Sequence, residues 1–377
     1  MMRVAFDVSV LDEREPTGVA RAAEELLRAL AQSAGGEELV LVAPGAIPER
    51  ARAAAREAEL LALPRCFPRR LWRELAAPRG ARRAAIDLWH SPVTAFPLFV
   101  RCARVATVHE IALAEKELGA RDGEGRLIQR ARLRLATRAD RVLCDSETTL
   151  ARFVARHPRA APRAVCVPLG VSFAFATCVP SSQERRAALV GGPEPYLLVL
   201  GTLRAKKDPL TALAAFAAAR ERLRTPLRLV FAGPAGSAAE ELARAIEVRG
   251  LAGCVRIAGY VPDDELPSLV AGALALLFLS RSEGFGLPVL EAQAAGVPVI
   301  ASHIDALVET SGGAALFARV DDVDAAALAI VVIATDERQR SGLIARGRAN
   351  ATARTWAATA AAVRAQWQEA LAARDRV

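Results

Sequence analysis

Residues 280–291 read Ser280-Arg281-Ser282-Glu283-Gly284-Phe285-Gly286-Leu287-Pro288-Val289-Leu290-Glu291, and they follow directly on the apolar run Ala273–Leu279. A continuous apolar run of this length is typical of a fully buried strand. Pro288 favours the first position of a helix, where its missing N–H is not needed. The sequence therefore predicts a buried strand, a loop with two glycines and a helix, in that order.

The loop and the helix start are suited to binding phosphate. Glycines let backbone N–H groups approach a ligand closely, and a helix N-terminus offers unpaired N–H donors with a partial positive charge. Glu283 and Glu291 lie on either side of this turn. Glu291 has acceptors for two vicinal hydroxyls of a ribose, and Glu283 has acceptors for a hydroxyl of a reacting sugar. The simpler alternative is that both are solvated acids, with Glu291 favoured in the first turn by the helix dipole.

Apolar strands alternate with amphipathic helices along both halves of the chain. The first half contains the predicted strands Val4–Val10, Leu39–Ala43, Ile86–His90, Val105–His109, Arg141–Cys144 and Val165–Pro168. The second half contains Tyr196–Leu200, Leu227–Ala232, Val255–Tyr260, Leu274–Leu279, Val297–Ser302 and a short strand at Ala315–Phe317. This alternation predicts parallel sheets flanked by helices, with ligands at the carboxyl ends of the strands.

Chain length and a break in periodicity predict two domains. The 377 residues exceed the size at which a single hydrophobic core usually stops growing. Residues Ser172–Glu184 lose periodicity and are predicted to form a linker. We therefore expect α/β domains at 1–172 and 186–354 that face each other across a central cleft. The C-terminal helix within 355–377 is expected to pack back on the N-terminal domain.

Composition predicts a globular protein of the cytoplasm. The chain is 53% hydrophobic and 24% charged, which does not indicate disorder. The N-terminus enters a strand pattern at once, unlike a signal peptide, and no apolar run reaches the roughly 20 residues of a membrane span. The six cysteines show no metal-binding spacing, so we expect reduced thiols; they are Cys66, Cys102, Cys144, Cys166, Cys178 and Cys254.

The net charge of +8 indicates an anionic ligand, a membrane surface or nucleic acid. Nucleic acid is disfavoured because aromatic residues make up only 5% of the chain and do not alternate with basic ones. Arginines gather in two sets, which are Arg65, Arg69, Arg70, Arg73, Arg79, Arg82 and Arg83, then Arg126, Arg130, Arg134 and Arg138. They are either solvated faces or contacts with an anionic membrane surface, for which Phe67, Leu71 and Trp72 would add an apolar edge.

Two of the three lysines are adjacent, at Lys206 and Lys207, just after the predicted strand Tyr196–Leu200. Asp208 and Pro209 read as the N-cap and first residue of the next helix. Ammonium groups at such a turn can neutralise a diphosphate leaving group. A solvated basic turn is the alternative.

The segment Ser280–Glu291, continued by Ala292–Ser302, resembles the E-x7-E signature of the GT4 family of retaining glycosyltransferases, which have the GT-B fold of two Rossmann-like domains. The similarity extends along nearly the whole chain. It implies sugar transfer from a nucleotide-diphosphate donor with retention at the anomeric carbon, and without a metal or other cofactor. It also implies that Glu283 is a catalytic residue in contact with the donor sugar and that Glu291 contacts the ribose. The intervening N–H groups are expected to contact sugar and diphosphate, namely those of Gly284, Phe285, Gly286 and Leu287.

Further segments resemble the same family with some departures. The family pattern G-T-L-x-x-R-K-N matches Gly201–Asp208, with Lys206 replacing arginine and Asp208 replacing asparagine. Lys207 is unchanged, so we expect it to be catalytic and also to bind the donor, together with Lys206. Gly18 matches the first glycine of a donor-facing G-[IV]-G-R segment, in which Ala20 replaces the second glycine.

Two more matches complete the expected site. His109 matches the histidine of T-V-H-D, which implies a catalytic position near the transferred sugar; without the resemblance, a structural hydrogen bond is the alternative. His90 is expected to be structural. Gly259–Asp263 resembles the loop that holds the nucleobase through backbone groups, which implies donor binding at Tyr260 and Val261.

The resemblance favours GDP-mannose as donor, because the G-T-L form occurs in members that often use it. UDP-glucose or a UDP-N-acetylhexosamine with a small soluble acceptor is the alternative. The expected acceptor is a glycan or lipid-linked molecule in surface polysaccharide synthesis, reached from the cytoplasm or peripherally at the inner face of the plasma membrane. A non-catalytic two-lobed sugar-binding protein remains open. A dinucleotide oxidoreductase is disfavoured because no G-x-G-x-x-G follows a strand.

Overall fold

The computed structural model describes residues 1–12, 15, 17–33, 35–64, 72–111, 126–180 and 182–374. These residues form two compact units. Unit 1 contains the described residues up to Ile111, those between Glu124 and Gly170, and those from Thr355 onward. Unit 2 contains Val171–Arg354.

Each unit is built on one parallel sheet. The strands of unit 1 are β1 (Met2–Asp7), β2 (Glu37–Pro44), β3 (Glu59–Leu63), β4 (Leu88–Ser91), β5 (Ala103–Val108), β6 (Arg141–Cys144) and β7 (Ala164–Cys166). Those of unit 2 are β8 (Tyr196–Leu200), β9 (Arg228–Ala232), β10 (Val255–Gly259), β11 (Ala275–Phe278), β12 (Val299–Ser302) and β13 (Leu316–Ala318). The spatial orders are β3-β2-β1-β4-β5-β6-β7 and β10-β9-β8-β11-β12-β13. The two sheets confirm the predicted pair of Rossmann-like α/β domains.

Helices connect successive strands. They are α1 (Gly18–Gln32), α2 (Glu49–Ala54), α3 (Ala77–Arg83), α4 (Arg126–Ala136), α5 (Glu147–Arg156), α6 (Phe173–Thr177), α7 (Gln183–Val190), α8 (Pro209–Arg222), α9 (Ala239–Val248), α10 (Leu266–Ala271), α11 (Leu287–Ala294), α12 (Asp305–Ser311), α13 (Val323–Thr335), α14 (Glu337–Thr352) and α15 (Trp356–Arg374). Short 3₁₀ turns lie at Ser9–Leu11, Pro158–Arg163 and Ala205–Lys207, and a π turn lies at Trp72–Ala76.

Burial explains why most strands were predicted from the sequence and why strand β3 was not. The unit 2 strands β8 and β11 are buried along their whole length, as their continuous apolar sequences predict. Strand β3 was missed from the sequence because it is an edge strand whose residues are mostly exposed. Its sequence therefore lacks the continuous apolar run by which the buried strands were predicted.

The final helix α15 belongs to unit 1. Trp367 is fully buried and donates a hydrogen bond from Nε1 to His90 Nδ1 at 2.9 Å. The His90 ring stacks on Phe6, with centroids 5.0 Å apart. Burial lowers the pKa of His90 to about 3, so the ring is neutral. His90 thus joins the sheet of unit 1 to α15, which is a structural role.

The predicted linker at Ser172–Glu184 is wrong over much of its length. The segment contains α6 and the beginning of α7. Phe175 is buried, and α6 packs against α10 and α11 within unit 2. A helix of five residues is too short to show helical periodicity, which explains the error.

The predicted apolar edge beside the first arginine set also needs correction. Trp72 is 1% exposed and packs against Trp89, with ring centroids 6.5 Å apart. Arg65, Arg69, Arg70, Phe67 and Leu71 lie outside the described residues. In the second set, Arg130, Arg134 and Arg138 are exposed.

Among the helices of the described ranges, none is long and apolar enough to cross a membrane. The five described cysteines are free thiols, and Cys66 lies outside the described residues.

Candidate active site

Two loops meet at the middle of the carboxyl edge of the unit 2 sheet. The first, Gly201–Asp208, follows β8, and the second, Leu279–Gly286, follows β11. Strands β8 and β11 are parallel neighbours, with Leu276 opposite Leu198. The strand order reverses between them, and open α/β sheets bind ligands at such a switch point.

Lys207 and Glu283 form an ion pair between these loops. Lys207 Nζ donates a hydrogen bond to Glu283 Oε1, and lies 4.6 Å from the centroid of the Phe278 ring. Burial alone would raise the pKa of Glu283, but the ammonium groups of Lys207 and Lys206 hold the pKa below its usual value. Glu283 is therefore ionised despite being only 8% exposed. The sequence predicted both residues as parts of one site but gave no sign of this direct contact.

Glu291 lies in the second turn of α11 and is 4% exposed. Burial of Glu283 and Glu291 contradicts the alternative that both are solvated surface acids. A buried carboxylate is retained only where hydrogen-bond donors or cations compensate the lost hydration. These two side chains therefore belong to a built polar site.

The loop between the two glutamates is buried and packs against α12. Gly284, Phe285 and Gly286 are buried, and Leu287 is half-buried at the start of α11. Gly286 is the N-cap at φ 104°, and a Cβ added there would lie 2.6 Å from Leu307 Cδ2. The Phe285 carbonyl accepts a hydrogen bond from Thr310 Oγ1 at 2.6 Å. Pro288 is the second helical residue, one later than predicted.

The loop Gly201–Asp208, called the lysine turn below, is held by the cap of the helix that follows it. Asp208 has φ 48°, and its Oδ1 accepts a hydrogen bond from Thr211 N at 3.3 Å. Pro209 begins α8, as the sequence predicted. Gly201 has φ 125°, and a Cβ there would lie 3.3 Å from Lys207 Cε. Glycine at this position therefore leaves room for the lysine stem.

Tyr260 and Val261 follow β10, at the same edge of the sheet. Strand β9 separates β10 from β8. Gly259 has φ 73°, and its carbonyl accepts a hydrogen bond from Gly233 N at 2.7 Å. Tyr260 is half-buried and Val261 is buried. The predicted nucleobase loop thus lies two strands away from the lysine turn.

Two of the predicted residues lie in unit 1. Gly18 begins α1 and is exposed, with open space around the position of an added Cβ. Ala20 is fully buried within the same helix. His109 follows β5 in the described part of the chain.

Acceptors flank both ring nitrogens of His109. Nδ1 lies 2.6 Å from Asp145 Oδ2, and Nε2 lies 2.7 Å from the carbonyl oxygen of Pro92. Burial alone would lower the pKa of His109, but the Asp145 carboxylate raises it overall. Because a carboxylate and a carbonyl both accept, the arrangement suits an imidazolium that donates from both nitrogens. Sequence reasoning missed Asp145, whose only signal is its place directly after β6.

Within the described ranges, no group of three or more histidines, cysteines or acids is arranged to hold a metal ion.

Family models match both parts of the chain. The model described as "Glycosyl transferases group 1" matches residues 181–350, and the model described as "Glycosyltransferase Family 4" matches residues 16–175.

Curated relatives are similar over part of their length. The O-antigen chain mannosyltransferase B of Escherichia coli is 36% identical over 181 residues, which are 48% of this chain and 46% of the relative. The D-inositol 3-phosphate glycosyltransferase of Salinispora arenicola is 30% identical over 250 residues, which are 62% and 56% of the two chains. The chain thus spans about half the length of the curated relatives it matches.

Solved structures share the fold. Sucrose-phosphate synthase from Thermosynechococcus elongatus has a TM-score of 0.78 at 19% identity, covering 99% of this chain and 100% of that one. Anabaena Alr3699/HepE, solved in complex with UDP and glucose, has a TM-score of 0.75 at 17% identity, covering 96% and 98%.

Proposed function

The chain belongs to glycosyltransferase family 4, the glycosyl transferases group 1, and from this membership we propose that it transfers a hexose from a nucleotide-diphosphate sugar with retention of configuration. The bond between the anomeric carbon and the diphosphate oxygen breaks, and a bond from that carbon to an acceptor oxygen forms. The acceptor proton goes to the departing diphosphate. Unit 2 would hold the donor, and unit 1 would bind the acceptor.

The Lys207–Glu283 pair is the observation that carries this proposal. A donor diphosphate would take Lys207 as its counter-ion and leave Glu283 to accept a hydroxyl of the sugar. Lys206 and Lys207 then stabilise the charge that develops on the leaving diphosphate, where fixed cations contribute most to rate. The backbone N–H groups of 284–287 would contact the same phosphates and sugar.

The proposed contacts with the ribose and the nucleobase involve residues that follow β10 and β11. Buried Glu291 would accept hydrogen bonds from the ribose hydroxyls, and the backbone of Tyr260 and Val261 would hold the nucleobase. Donor binding at Gly18 stays a prediction from the family resemblance. No residue of the proposal requires a metal, because lysines and helix N–H groups supply the positive charge.

GDP-mannose is the favoured donor. Similarity to an O-antigen chain mannosyltransferase supports mannose and a surface-polysaccharide acceptor. UDP-glucose is the second candidate, because a structural neighbour has been solved with UDP and glucose. The exposed arginines Arg130 and Arg134 of α4, with Arg138 just after the helix, are proposed to favour an anionic membrane surface, where a lipid-linked acceptor would reside.

A thermal-shift panel tests the proposal and identifies the nucleotide. The donors are GDP-mannose, UDP-glucose and UDP-N-acetylglucosamine, each with its free nucleoside diphosphate. At 100 times its Kd, the correct nucleotide stabilises the protein by about 2.7 kcal/mol. Release of the diphosphate in the presence of glycan acceptors then measures turnover. Binding of a sugar without any transfer or hydrolysis would instead support a non-catalytic sugar-binding protein.

A further inference from the structure

Arg281 connects loops that follow three different strands of unit 2. Its own loop follows β11, and its backbone N–H donates to the Lys206 carbonyl at 2.8 Å. Its guanidinium lies 2.9 Å from Asp208 Oδ2, in the loop after β8. It also donates from Nη1 to Asp321 Oδ2 at 2.9 Å, after β13. Arg281 thus connects the lysine turn, its own loop at Leu279–Gly286 (the glutamate loop) and the loop that contains Asp321.

The partner that matters most is the buried one. The side chain of Asp208 is 7% exposed, whereas that of Asp321 is 58% exposed. Burial raises the pKa of Asp208, while Thr211 and the guanidinium of Arg281 favour its charged form. An unpaired buried carboxylate is costly, and the Arg281 guanidinium, 2.9 Å from Asp208 Oδ2, offsets part of that cost.

Asp208 also fixes one end of the turn that contains Lys206 and Lys207. It is a non-glycine residue at φ 48°, and it caps α8 through Thr211. The lysine turn is therefore held at two points. One is the Asp208 helix cap, and the other is the Lys206 carbonyl, which accepts a hydrogen bond from Arg281 N–H. Lys207, between these two restraints, reaches Glu283.

We propose that Arg281 is a positioning residue, which holds the turn of Lys206 and Lys207 against the Glu283 loop so that both ammonium groups meet the donor diphosphate. This inference rests on the proposed function. A guanidinium suits the role because its planar fork binds two carboxylates in fixed directions, which a flexible ammonium does not do.

The test compares Arg281→Ala and Arg281→Lys with a matched control, Arg222→Ala. Arg222 pairs with Asp324 at 3.6 Å in the same unit, but these side chains are 48% and 88% exposed. Exposed pairs contribute little, so the control should match the wild type. Steady-state kinetics with the active donor gives kcat and KM. Calorimetry gives the affinities for the nucleoside diphosphate and monophosphate, measured with GDP, GMP, UDP and UMP.

Arg281→Ala should lower kcat about 10- to 100-fold, since small displacements of catalytic groups have effects of this order. It should weaken the affinity for the nucleoside diphosphate about tenfold and the affinity for the monophosphate less than about threefold, because the lysines neutralise the extra charge of the terminal phosphate. Arg281→Lys should recover part of both losses. If the alanine variant does not fold, the lysine variant carries the same comparison.

A role limited to folding would lower the melting temperature and weaken both nucleotides equally. That result, or a folded Arg281→Ala with wild-type kcat, would overturn the inference while leaving the proposed function intact. A wild-type protein that neither binds a nucleoside diphosphate nor transfers sugar would contradict the proposed function itself.

Discussion

At the scale of single residues, charge compensation explains the candidate site. Glu283 is buried yet ionised, because Lys207 and Lys206 face it. His109 is half-buried and favours its protonated form, because the Asp145 carboxylate raises its pKa. The sequence predicted Lys207 and Glu283 as site residues but not their contact, because they follow different strands of the fold. It did not predict Asp145, the partner of His109. Residue types and strand ends were thus predictable, and the pairs were not.

The raised pKa of His109 predicts a pH-dependent contribution to stability. A base whose pKa is higher in the folded state contributes its full stabilisation below the unfolded value of 6.5. That contribution is lost as the pH rises through the folded value. Urea unfolding should therefore show that His109→Gln is more destabilising at pH 5.5 than at pH 9. Equal losses at both pH values would mean that the folded imidazole is neutral. In the wild type, NMR titration reports the pKa of the ring directly.

At the scale of elements, strand ends place the site. The strand pattern around the site was readable because β8 and β11 are continuous apolar runs. The exposed edge strand β3 and the short helix α6 were not readable, since neither shows the periodicity of its class. The adjacency of β8 and β11 also cannot be read from spacing, because α8, β9, α9, β10 and α10 lie between them in the chain.

The junction between the glutamate loop and α11 predicts a strong effect of Gly286→Ala. The backbone is at φ 104°, and the new Cβ would meet Leu307 Cδ2. We expect a loss of about 2–4 kcal/mol from strain and overpacking, measured by urea unfolding. Gly250→Ala is the control, because Gly250 has φ 65° with open space around an added Cβ. It should cost only about 1–2 kcal/mol. Equal losses in the two variants would show that the Leu307 contact is not restrictive.

At the scale of the whole molecule, the described residues of each unit include a hydrophobic core. One includes Trp72, Trp89 and Phe153 in unit 1, and the other includes Phe216, Phe231 and Ile330 in unit 2. Length predicted two cores. The return of α15 to unit 1 was predicted, and its anchor, the hydrogen bond from Trp367 to His90, was not readable from the sequence.

Separate cores predict that Trp367→Ala affects unit 1 selectively. Removing a fully buried tryptophan costs about 3–5 kcal/mol, and it leaves His90 Nδ1 without its donor. Hydrogen exchange should accelerate in β1, β4 and α15 and stay at wild-type levels in β8 and β11. Phe216→Ala is the matched variant in unit 2 and should give the opposite pattern. Uniform acceleration in both units would contradict independent cores.

The central claim is that Lys207 meets the diphosphate of a nucleotide sugar. Lys207→Ala should lower kcat/KM for the active donor by at least about 100-fold, the usual effect of removing a group that stabilises leaving-group charge. Lys116→Ala is the control, since Lys116 is the one lysine of the chain that is not part of the Lys206–Lys207 pair; it lies outside the described residues. The measurement is kcat/KM of the two variants beside the wild type. A large loss for Lys207→Ala alone is the predicted result, and equal values for the two variants would contradict the account.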